Sequence, residues 1–392
     1  MTHSNSTQNK APLQLIATTT FGLEALAKRE LQDLGFSDLK VSDGKVTFPA
    51  AAEDVPKANL WLRTADRILL QMGEFRALSF EELFDKTKAL PWDRWITLDG
   101  KFTVNGKSIK SKLFSISDCQ AIVKKAVVEK LKEKYHVEWF AETGPEFTIQ
   151  VALQSDVATL TIDTSGPGLH KRGYRQEAGT APLKETLAAA MIQLSFWKSN
   201  RLLLDPFCGS GTIPIEAAMI GRNIAPGLQR KFASENWPTL GGGIWKKART
   251  EALRAIDQES PVQIIASDID PKMIAIAKEN AIQAGVDDCI EFTVKSYIDS
   301  KIKDKYAVVI SNPPYGERLG MQKETKEMYQ SLGRLFRKDP TWSVYILTAE
   351  EDFEKLYGQE AHRRRKLYNG NIKVNYYQYY GERPPGVRDD KR

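Results

Sequence analysis

Four consecutive residues in the last third of the chain, Asn312-Pro313-Pro314-Tyr315, combine hydrogen-bond acceptors and an aromatic ring on a stiff backbone. They follow the apolar run 307–310, which predicts a buried parallel strand, so we expect them at that strand's carboxyl end, where open α/β sheets bind ligands. Because two prolines stiffen the chain, Asn312 and the Pro313 carbonyl can be fixed as acceptors facing one point. Such a cage suits an amino group on a planar base, although the tetrapeptide alone also suits a plain rigid turn.

A second stretch, residues 202–212, has the pattern of a buried strand that ends in an acid and is followed by a glycine-rich turn opening a helix. Gly209 and Gly211 permit positive φ angles and close approach by a ligand, and a helix N-terminus offers free amides. The stretch lacks the Gly-Lys-Ser/Thr ending of a phosphate-binding loop and the third glycine of a dinucleotide fingerprint. Asp205 would suit a ligand with an ammonium group, such as the methionine portion of S-adenosylmethionine. A plain tight turn is the alternative.

A third stretch, residues 264–270, ends in two acids separated by one residue. An acid at the carboxyl end of the second strand can accept hydrogen bonds from both ribose hydroxyls of a nucleotide, and we assign this role to Asp268. Asp270 would serve equally well as the cap of a helix that starts at Pro271.

The elements that must position these stretches alternate between strands and helices from about residue 178 to 382. This alternation predicts a doubly wound parallel sheet with helices on both faces, and residues 371–380 could add a final antiparallel strand. The connection 223–261 is unusually long, so we expect an insertion on the surface.

The N-terminal half has the pattern of two small α+β units, one over residues 13–60 with split βαβ character and one over 69–163. In the second unit, a long helix over 117–134 repeats apolar residues every four positions. Nine lysines against three acids lie between residues 101 and 136, and this excess of six equals the net charge of the whole protein, +6. The lysines would either contact the phosphates of a nucleic acid or simply solubilise a helix face.

The segment 166–175 is glycine-rich and basic, and we interpret it as a linker. Its cationic side chains are expected to be available to a nucleic-acid backbone; they are His170, Lys171, Arg172 and Arg175.

Composition limits the remaining possibilities. At 392 residues the chain is too long for one compact core, so two or three domains are expected. No apolar run approaches the roughly 18 residues that span a bilayer, which favours a cytoplasmic protein without a membrane partner. The three cysteines and four histidines are not clustered, so we expect neither disulfides nor a metal site.

Taken together, the motifs resemble a known family. Asp-Pro-Phe-Cys-Gly-Ser-Gly-Thr at 205–212, Ser-Asp-Ile-Asp at 267–270 and Ser-Asn-Pro-Pro-Tyr-Gly-Glu-Arg-Leu at 311–319 are similar to class I S-adenosylmethionine-dependent methyltransferases that modify exocyclic amines of bases. With the segments 169–175, 182–188 and 365–370, the chain resembles the bacterial THUMP-domain family related to the 2-amino guanine methyltransferases of 23S ribosomal RNA.

The resemblance covers nearly the whole chain and implies an α/β fold: a C-terminal Rossmann-like class I methyltransferase sheet preceded by an α+β ferredoxin-like unit and a THUMP module. The implied domains are a ferredoxin-like domain at 1–65, an RNA-binding THUMP domain at 66–165, a linker at 166–180 and the methyltransferase domain at 181–392.

The resemblance also implies site residues. The cofactor, S-adenosyl-L-methionine, would be bound by Asp205, Phe207, Cys208, Gly209, Gly211, Thr212, Asp268, Ile269 and Ser296. The catalytic loop would consist of Asn312, Pro313, Pro314 and Tyr315, with the Tyr315 ring stacked on the target base. Ser296 stands where related families often place an acid for the cofactor's adenine, and we do not transfer that role to Asp299. Within the cofactor loop, Cys208 is expected to pack rather than to act as a nucleophile.

The implied activity is transfer of a methyl group to the 2-amino group of a guanine in 23S ribosomal RNA, with RNA as partner and no metal. Transfer RNA guanine and the 6-amino group of adenine, in DNA or RNA, remain alternative acceptors. A different class of function is a non-catalytic RNA-binding or ribosome-assembly factor. The intact Asn312 and Gly209-x-Gly211 favour the enzyme.

Overall fold

The computed structural model describes residues 12–175, 183–300, 303–315 and 322–385. The predicted linker at 166–180 is therefore described only to residue 175, and the Gly-Glu-Arg-Leu end of the third motif lies outside these ranges. The described strands form two seven-stranded sheets, one in each half of the chain. None of the helices in the described ranges is long and apolar enough to cross a membrane.

The N-terminal sheet has the strand order β2-β3-β1-β4-β7-β6-β5. Its elements are β1 Leu13–Thr19, α1 Glu24–Asp33, β2 Lys40–Ser42, β3 Lys45–Ala50, α2 Asp54–Trp61, β4 Ala65–Arg76, α3 Phe80–Lys88, β5 Lys101–Ile109, α4 Ile116–Tyr135, β6 Glu146–Gln154 and β7 Val157–Asp163.

Strand β4 joins the two N-terminal units into one sheet, and the sequence pattern did not reveal it. It pairs with β1 through Leu15 and Leu70 and with β7 through Leu70 and Ile162. Buried and exposed residues do not alternate regularly along β4. The strand has a β-bulge between Gln71 and Gly73, in the part that pairs with β7. The division of this half into two domains at residue 65 stays a prediction.

Helix α4 has the predicted core face. Every fourth residue from Cys119 to Leu131 is buried, and this stripe packs in the core of the N-terminal half. Lys124 and Lys125 lie over the rings of Phe102 and Phe84, at 5.9 and 5.8 Å from the ring centroids.

The C-terminal sheet has the order β10-β9-β8-β11-β12-β14-β13. Its elements are α5 Glu185–Gln193, β8 Leu203–Asp205, α6 Thr212–Gly221, α7 Gly242–Arg254, β9 Ile264–Asp268, α8 Pro271–Ala284, β10 Ile290–Val294, β11 Val308–Ser311, α9 Gln322–Phe336, β12 Ser343–Thr348, α10 Phe353–Tyr357, β13 Arg363–Asn369 and β14 Ile372–Tyr379.

This sheet confirms the predicted doubly wound arrangement. Strands β8 to β12 are mutually parallel, and β14 adds the predicted antiparallel strand beside β12. The chain proceeds outward from β8 through β9 to β10 and then crosses to β11 on the other side of β8. The switch point between β8 and β11 is where such sheets bind ligands.

The long connection between α6 and β9 is not the surface insertion that its length suggested. Its aromatic residues are buried in the core of the N-terminal half, where Trp237 stacks on Phe147 with the ring centroids 4.9 Å apart. The Trp237 indole also donates a hydrogen bond to the Glu146 carbonyl over 3.2 Å. Apolar aromatic rings gain more free energy when they are buried between domains than when they are exposed, so the insertion joins the two halves.

The expectation that the linker's arginines contact nucleic acid is also wrong. The Arg172 guanidinium is buried against Glu216 at 3.2 Å and donates to the carbonyls of Leu169 and Arg63. Arg175 is largely buried beside Glu185. A buried arginine needs such partners because an unpaired charge inside a protein is costly. These side chains join the domains.

Of the other two linker cations, Lys171 is exposed and His170 is half-buried. Burial, reinforced by neighbouring cations, lowers the pKa of His170 to about 4, so its imidazole is neutral at physiological pH.

Replacing Trp237 by alanine should destabilise the junction between the halves. The substitution removes a ring that is 1% exposed, and we expect a loss of roughly 3 to 5 kcal/mol in the free energy of unfolding. Urea titrations followed by intrinsic fluorescence and circular dichroism would measure it. The matched control is Leu253→Ala, which removes a 59% exposed side chain of α7 in the same insertion and should cost about 0.5 kcal/mol or less. Equal midpoints for the two variants would contradict the packing role of Trp237.

Candidate active site

The carboxyl ends of four adjacent parallel strands bring the three sequence motifs to one edge of the C-terminal sheet. Asp205 ends β8, Asp268 ends β9, Ser296 follows β10 and Asn312 follows β11. The Ser311 hydroxyl, at the end of β11, donates a hydrogen bond to Asp205 Oδ1 over 2.6 Å. The first and third motifs are therefore in direct contact at the switch point of the sheet.

Asp205 is a buried carboxyl group with one unused oxygen. Its Oδ1 also accepts the Phe207 amide at 3.2 Å, whereas Oδ2 is buried without a hydrogen-bond partner. Burial raises the pKa of Asp205 to about 7, against the lowering effect of the Ser311 and Phe207 hydrogen bonds. A buried acceptor without a partner is costly, so this oxygen is suited to a ligand's cationic donor.

The glycine-rich turn adopts the predicted conformation. Gly209 and Gly211 have φ angles of 51° and 84°. A Cβ atom at Gly211 would lie 3.0 Å from the Ala277 side chain in α8, so a side chain there would be strained by both space and conformation. A Cβ atom at Gly209 would meet nothing within 4 Å, so this part of the turn borders open space. Thr212 begins α6.

Asp268, the last residue of β9, is hydrogen-bonded to the glycine-rich turn. Its Oδ2 accepts the Gly209 amide at 3.0 Å, and its Oδ1 accepts the Asp270 amide at 2.9 Å. Each oxygen retains a further lone pair. Asp270 itself caps helix α8 by accepting the Lys272 amide at 2.8 Å, so the capping alternative is the one observed.

The remaining predicted cofactor residues surround the same edge. Phe207 stacks on Tyr297, with the ring centroids 5.0 Å apart, and Ile269 is 75% exposed. Ser296 is half-buried after β10. Cys208 is buried in the core, and burial raises the pKa of its thiol well above the ordinary value, which disfavours a nucleophilic thiolate.

The loop after β11 contains an unexpected contact. The Tyr315 hydroxyl donates a hydrogen bond to Asn312 Oδ1 over 2.5 Å, so it occupies the acceptor that the sequence assigned to a ligand's amine. The adjacent Pro313 is buried and Pro314 is exposed. An amide oxygen has two lone pairs, so Asn312 Oδ1 can still accept a ligand amine beside the Tyr315 hydroxyl.

Three residues that the sequence reasoning missed fix this loop or the turn opposite. The buried Tyr329 of α9 donates to the Pro314 carbonyl over 2.9 Å, and its hydroxyl lies 2.8 Å from that of Thr348, at the end of β12. Arg175 donates to the Thr212 hydroxyl over 2.5 Å. No local motif marks Tyr329 or Thr348. Only the register of β12 beside β11 brings them to the loop.

The described residues contain no group of three or more His, Cys, Asp or Glu side chains placed to hold a metal ion.

Three family models match successive parts of the chain. They are the RlmL ferredoxin-like domain at residues 14–69, the THUMP domain at 77–163 and the RMKL-like methyltransferase domain at 172–378. The Bacillus subtilis (strain 168) protein named "Putative RNA methyltransferase YpsC" is 51% identical over 373 residues, which cover 95% of this chain and 97% of that protein.

Two solved structures are similar to this chain in both sequence and fold. A Listeria monocytogenes str. 4b F2365 protein, described as "a predicted N6-adenine-specific DNA methylase", is 49% identical with a TM-score of 0.91, covering 94% of this chain and 96% of that one. SMU.472, solved in complex with SAH, is 44% identical with a TM-score of 0.91, covering 96% of this chain and all of that one. These matches confirm the predicted fold class and the predicted methyl donor, S-adenosyl-L-methionine. The chain belongs to the RMKL-like methyltransferase family and carries ferredoxin-like and THUMP units ahead of its methyltransferase domain.

Proposed function

We propose that this protein transfers a methyl group from S-adenosylmethionine to the exocyclic 2-amino group of a guanine in RNA, with 23S ribosomal RNA as the substrate. The observation that carries the proposal is the contact between the two halves of the site. The hydrogen bond from Ser311 to Asp205 joins a carboxyl with a free oxygen to the Asn-Pro-Pro-Tyr loop. A methyl donor and an acceptor amine held by these groups would be neighbours.

The cofactor would bind across the carboxyl ends of β8 to β10. Asp205 Oδ2 would accept the ammonium group, and the Gly209 side of the turn leaves room for the methionine end. Asp268 would accept the ribose hydroxyls with its remaining lone pairs. Ile269 and Ser296 would flank the adenine. When bound, the cofactor supplies an electrophilic methyl group on a sulfonium.

The acceptor amine would bind at the loop after β11. Asn312 Oδ1 and the Pro313 carbonyl would accept its two hydrogens, which draws the nitrogen lone pair out of conjugation with the ring and aims it at the donor. The second lone pair of Asn312 Oδ1 would accept the amine, and the Tyr315 ring would lie beside the base. Tyr329 acts as a positioning residue through the Pro314 carbonyl.

Two lines of support favour RNA as the substrate. The chain contains a THUMP domain, and its Bacillus subtilis relative is named "Putative RNA methyltransferase YpsC". The second candidate is the 6-amino group of adenine in DNA or RNA, because the same acceptor pair fits either amine and the Listeria structure is described as "a predicted N6-adenine-specific DNA methylase". Guanine in transfer RNA is the nearest alternative within the proposed chemistry.

The acceptor can be identified directly. Purified protein would be incubated with labelled S-adenosylmethionine and with 23S ribosomal RNA, transfer RNA or DNA from a deletion strain, and the products would be digested to nucleosides and analysed by mass spectrometry. We expect N2-methylguanosine from 23S ribosomal RNA alone. Inosine at the mapped position, which lacks the 2-amino group, should abolish transfer. Methylated adenine, or label in DNA or transfer RNA only, would contradict the proposal.

Replacing Asn312 by alanine should abolish most turnover without abolishing binding. The side chain provides one of the two acceptors that orient the amine, so kcat should fall about a hundredfold or more. Single-turnover methylation and separate equilibrium titrations with RNA and cofactor would distinguish the two effects. The matched control is Asn236→Ala, an exposed asparagine in the insertion, which should behave as the wild type. Full turnover in Asn312→Ala would refute the amine cage.

Cofactor affinity should depend on pH through Asp205. Burial raises its pKa to about 7, and the ionised form is the one that attracts an ammonium group, so affinity should fall as pH falls below 7, by up to about tenfold per unit. Calorimetric titrations between pH 5.5 and 8 would measure this dependence. Asp205→Asn should bind weakly at every pH. The control Asp299→Asn changes an exposed acid near the same edge and should keep the wild-type profile. A flat wild-type profile would contradict the assignment.

A further inference from the structure

A solvent-exposed aromatic ring lies at one end of the N-terminal sheet, outside the site described above. Phe114 is 82% exposed and belongs to the connection between β5 and α4. This connection lies beside the turn between β6 and β7, because Ile109 pairs with Gln154 and Gln154 pairs with Val157. We call residues 107–115 together with the turn 154–157 the tip.

The backbone on both sides of Phe114 is firmly held. Leu113 is buried, and its carbonyl accepts the Ser108 hydroxyl at 2.7 Å. The Lys112 amide donates to Asp156 Oδ1 over 2.7 Å, which fastens the connection to the turn 154–157. An exposed ring on a backbone fixed in this way loses little conformational entropy when it binds a ligand.

The lysines of the tip have no acidic partner within the described part of the chain. Lys107, Lys110 and Lys112 are all exposed and form no ion pair within 4.0 Å. The next acid after these lysines in the chain is Asp118, in the first turn of α4. Asp156, within the tip, accepts the Lys112 backbone amide through its Oδ1. At the opposite end of the same unit lysines are paired, as Lys101 with Glu146, Lys132 with Glu138 and Lys88 with Glu133. Lysines of α4 other than Lys132 likewise form no ion pair among the described residues, so the unpaired positive charge extends from the tip along α4; they are Lys124, Lys125, Lys130 and Lys134.

A second exposed aromatic residue in the same unit, Trp139, has acidic rather than basic neighbours and therefore serves as a comparison for Phe114. Trp139 is 86% exposed, in the loop after α4 at the opposite end of the unit. Its neighbours in the chain include Glu138 and Glu142, whereas Phe114 follows Lys110 and Lys112. Of these two exposed rings, Phe114 is the one that lies beside unpaired lysines, and this combination matches a nucleotide, which presents a flat base and a phosphate.

We propose that the tip is a docking site for an unpaired segment of RNA, in which one base stacks on Phe114 and the flanking phosphates contact Lys107, Lys110 and Lys112. The proposal rests on the proposed function, since it assumes that the enzyme acts on RNA. It places the RNA contact of the basic unit at its end, rather than along the α4 lysines, where Lys124 and Lys125 lie over aromatic rings. A paired helix offers no free base face to Phe114, so the segment must be single-stranded.

The tip lies at the end of the unit remote from the insertion. Strand β7 runs from Val157 at the tip to Asp163, next to Thr164, whose carbonyl accepts a hydrogen bond from Ser234 of the insertion. Six residue steps along a strand span about 20 Å, so about this length of strand separates the tip from that contact.

Equilibrium binding by the full-length protein tests the proposal. The probes are a fluorescein-labelled single-stranded RNA of mixed sequence and the duplex it forms with its complement, at two salt concentrations. Phe114→Ala should weaken binding of the single strand by about tenfold, within the range measured for loss of one base-stacking aromatic, and should leave duplex binding nearly unchanged. Phe114→Trp should restore binding. Changing the three tip lysines to glutamine should weaken binding and flatten its salt dependence.

The matched control is Trp139→Ala, which should bind both probes like the wild type. Unchanged affinity in Phe114→Ala, equal losses for single strand and duplex, or full rescue by Phe114→Leu would overturn the proposal, the last because a leucine cannot stack. Tip lysine variants that lose affinity for anionic vesicles but not for RNA would also overturn it. These readouts do not depend on methyl transfer. If the protein methylates RNA but its affinity for RNA does not depend on Phe114, only the proposed docking site is refuted. If the wild type does not methylate RNA, the proposed function is refuted.

Discussion

The hydrogen bond between Ser311 and Asp205 is the contact on which the site depends. It connects the ends of β11 and β8, which are neighbours only because the chain crosses over at the centre of the sheet. The bond satisfies one oxygen of a buried carboxyl and leaves the other without a partner, so the site stores a binding capacity that the folded protein does not itself use. Desolvation makes this capacity sensitive to pH, since the same burial that excludes water also raises the pKa of Asp205 to about 7.

The loop after β11 is held from two sides. Tyr329 of α9 donates to the Pro314 carbonyl and is itself hydrogen-bonded to Thr348 of β12, while Tyr315 donates to Asn312 from within the loop. The first set of bonds makes the loop rigid. The second gives Asn312 Oδ1 a hydrogen-bond donor before a substrate is bound. Because an amide oxygen has two lone pairs, Asn312 Oδ1 keeps the capacity to accept a second donor.

The two halves of the molecule are joined by both apolar and ionic burial. Trp237 packs on Phe147 in the N-terminal core, and the Arg172–Glu216 pair is buried where the linker meets the methyltransferase domain. A large packed interface restricts relative motion of domains. Both contacts involve residues that the sequence pattern placed in a surface insertion or a linker, and both are buried.

The sequence by itself determined the doubly wound sheet, the core face of α4 and the positions of three motifs at strand ends, because these depend on local periodicity and on turn chemistry near each residue. It misjudged features that depend on distant partners. The insertion 223–261 was expected on the surface and Arg172 was expected to face nucleic acid, although the aromatic residues of the insertion and the Arg172 side chain are buried. Strand β4 was missed because its burial pattern is divided between two partners.

The lysines of the N-terminal half show most clearly the difference between what local sequence determines and what depends on distant partners. The excess of lysines between residues 101 and 136 can be counted in the sequence, but which of them lack partners depends on where Glu133, Glu138 and Glu146 come to lie. Likewise, the tetrapeptide at 312–315 was recognisable as a rigid loop with acceptors, whereas the contact of Tyr315 with Asn312 and the support from Tyr329 appear only in the folded chain. Sequence periodicity reports which residues are buried, and tertiary packing decides what each buried or charged group is paired with, because those partners come from distant parts of the chain.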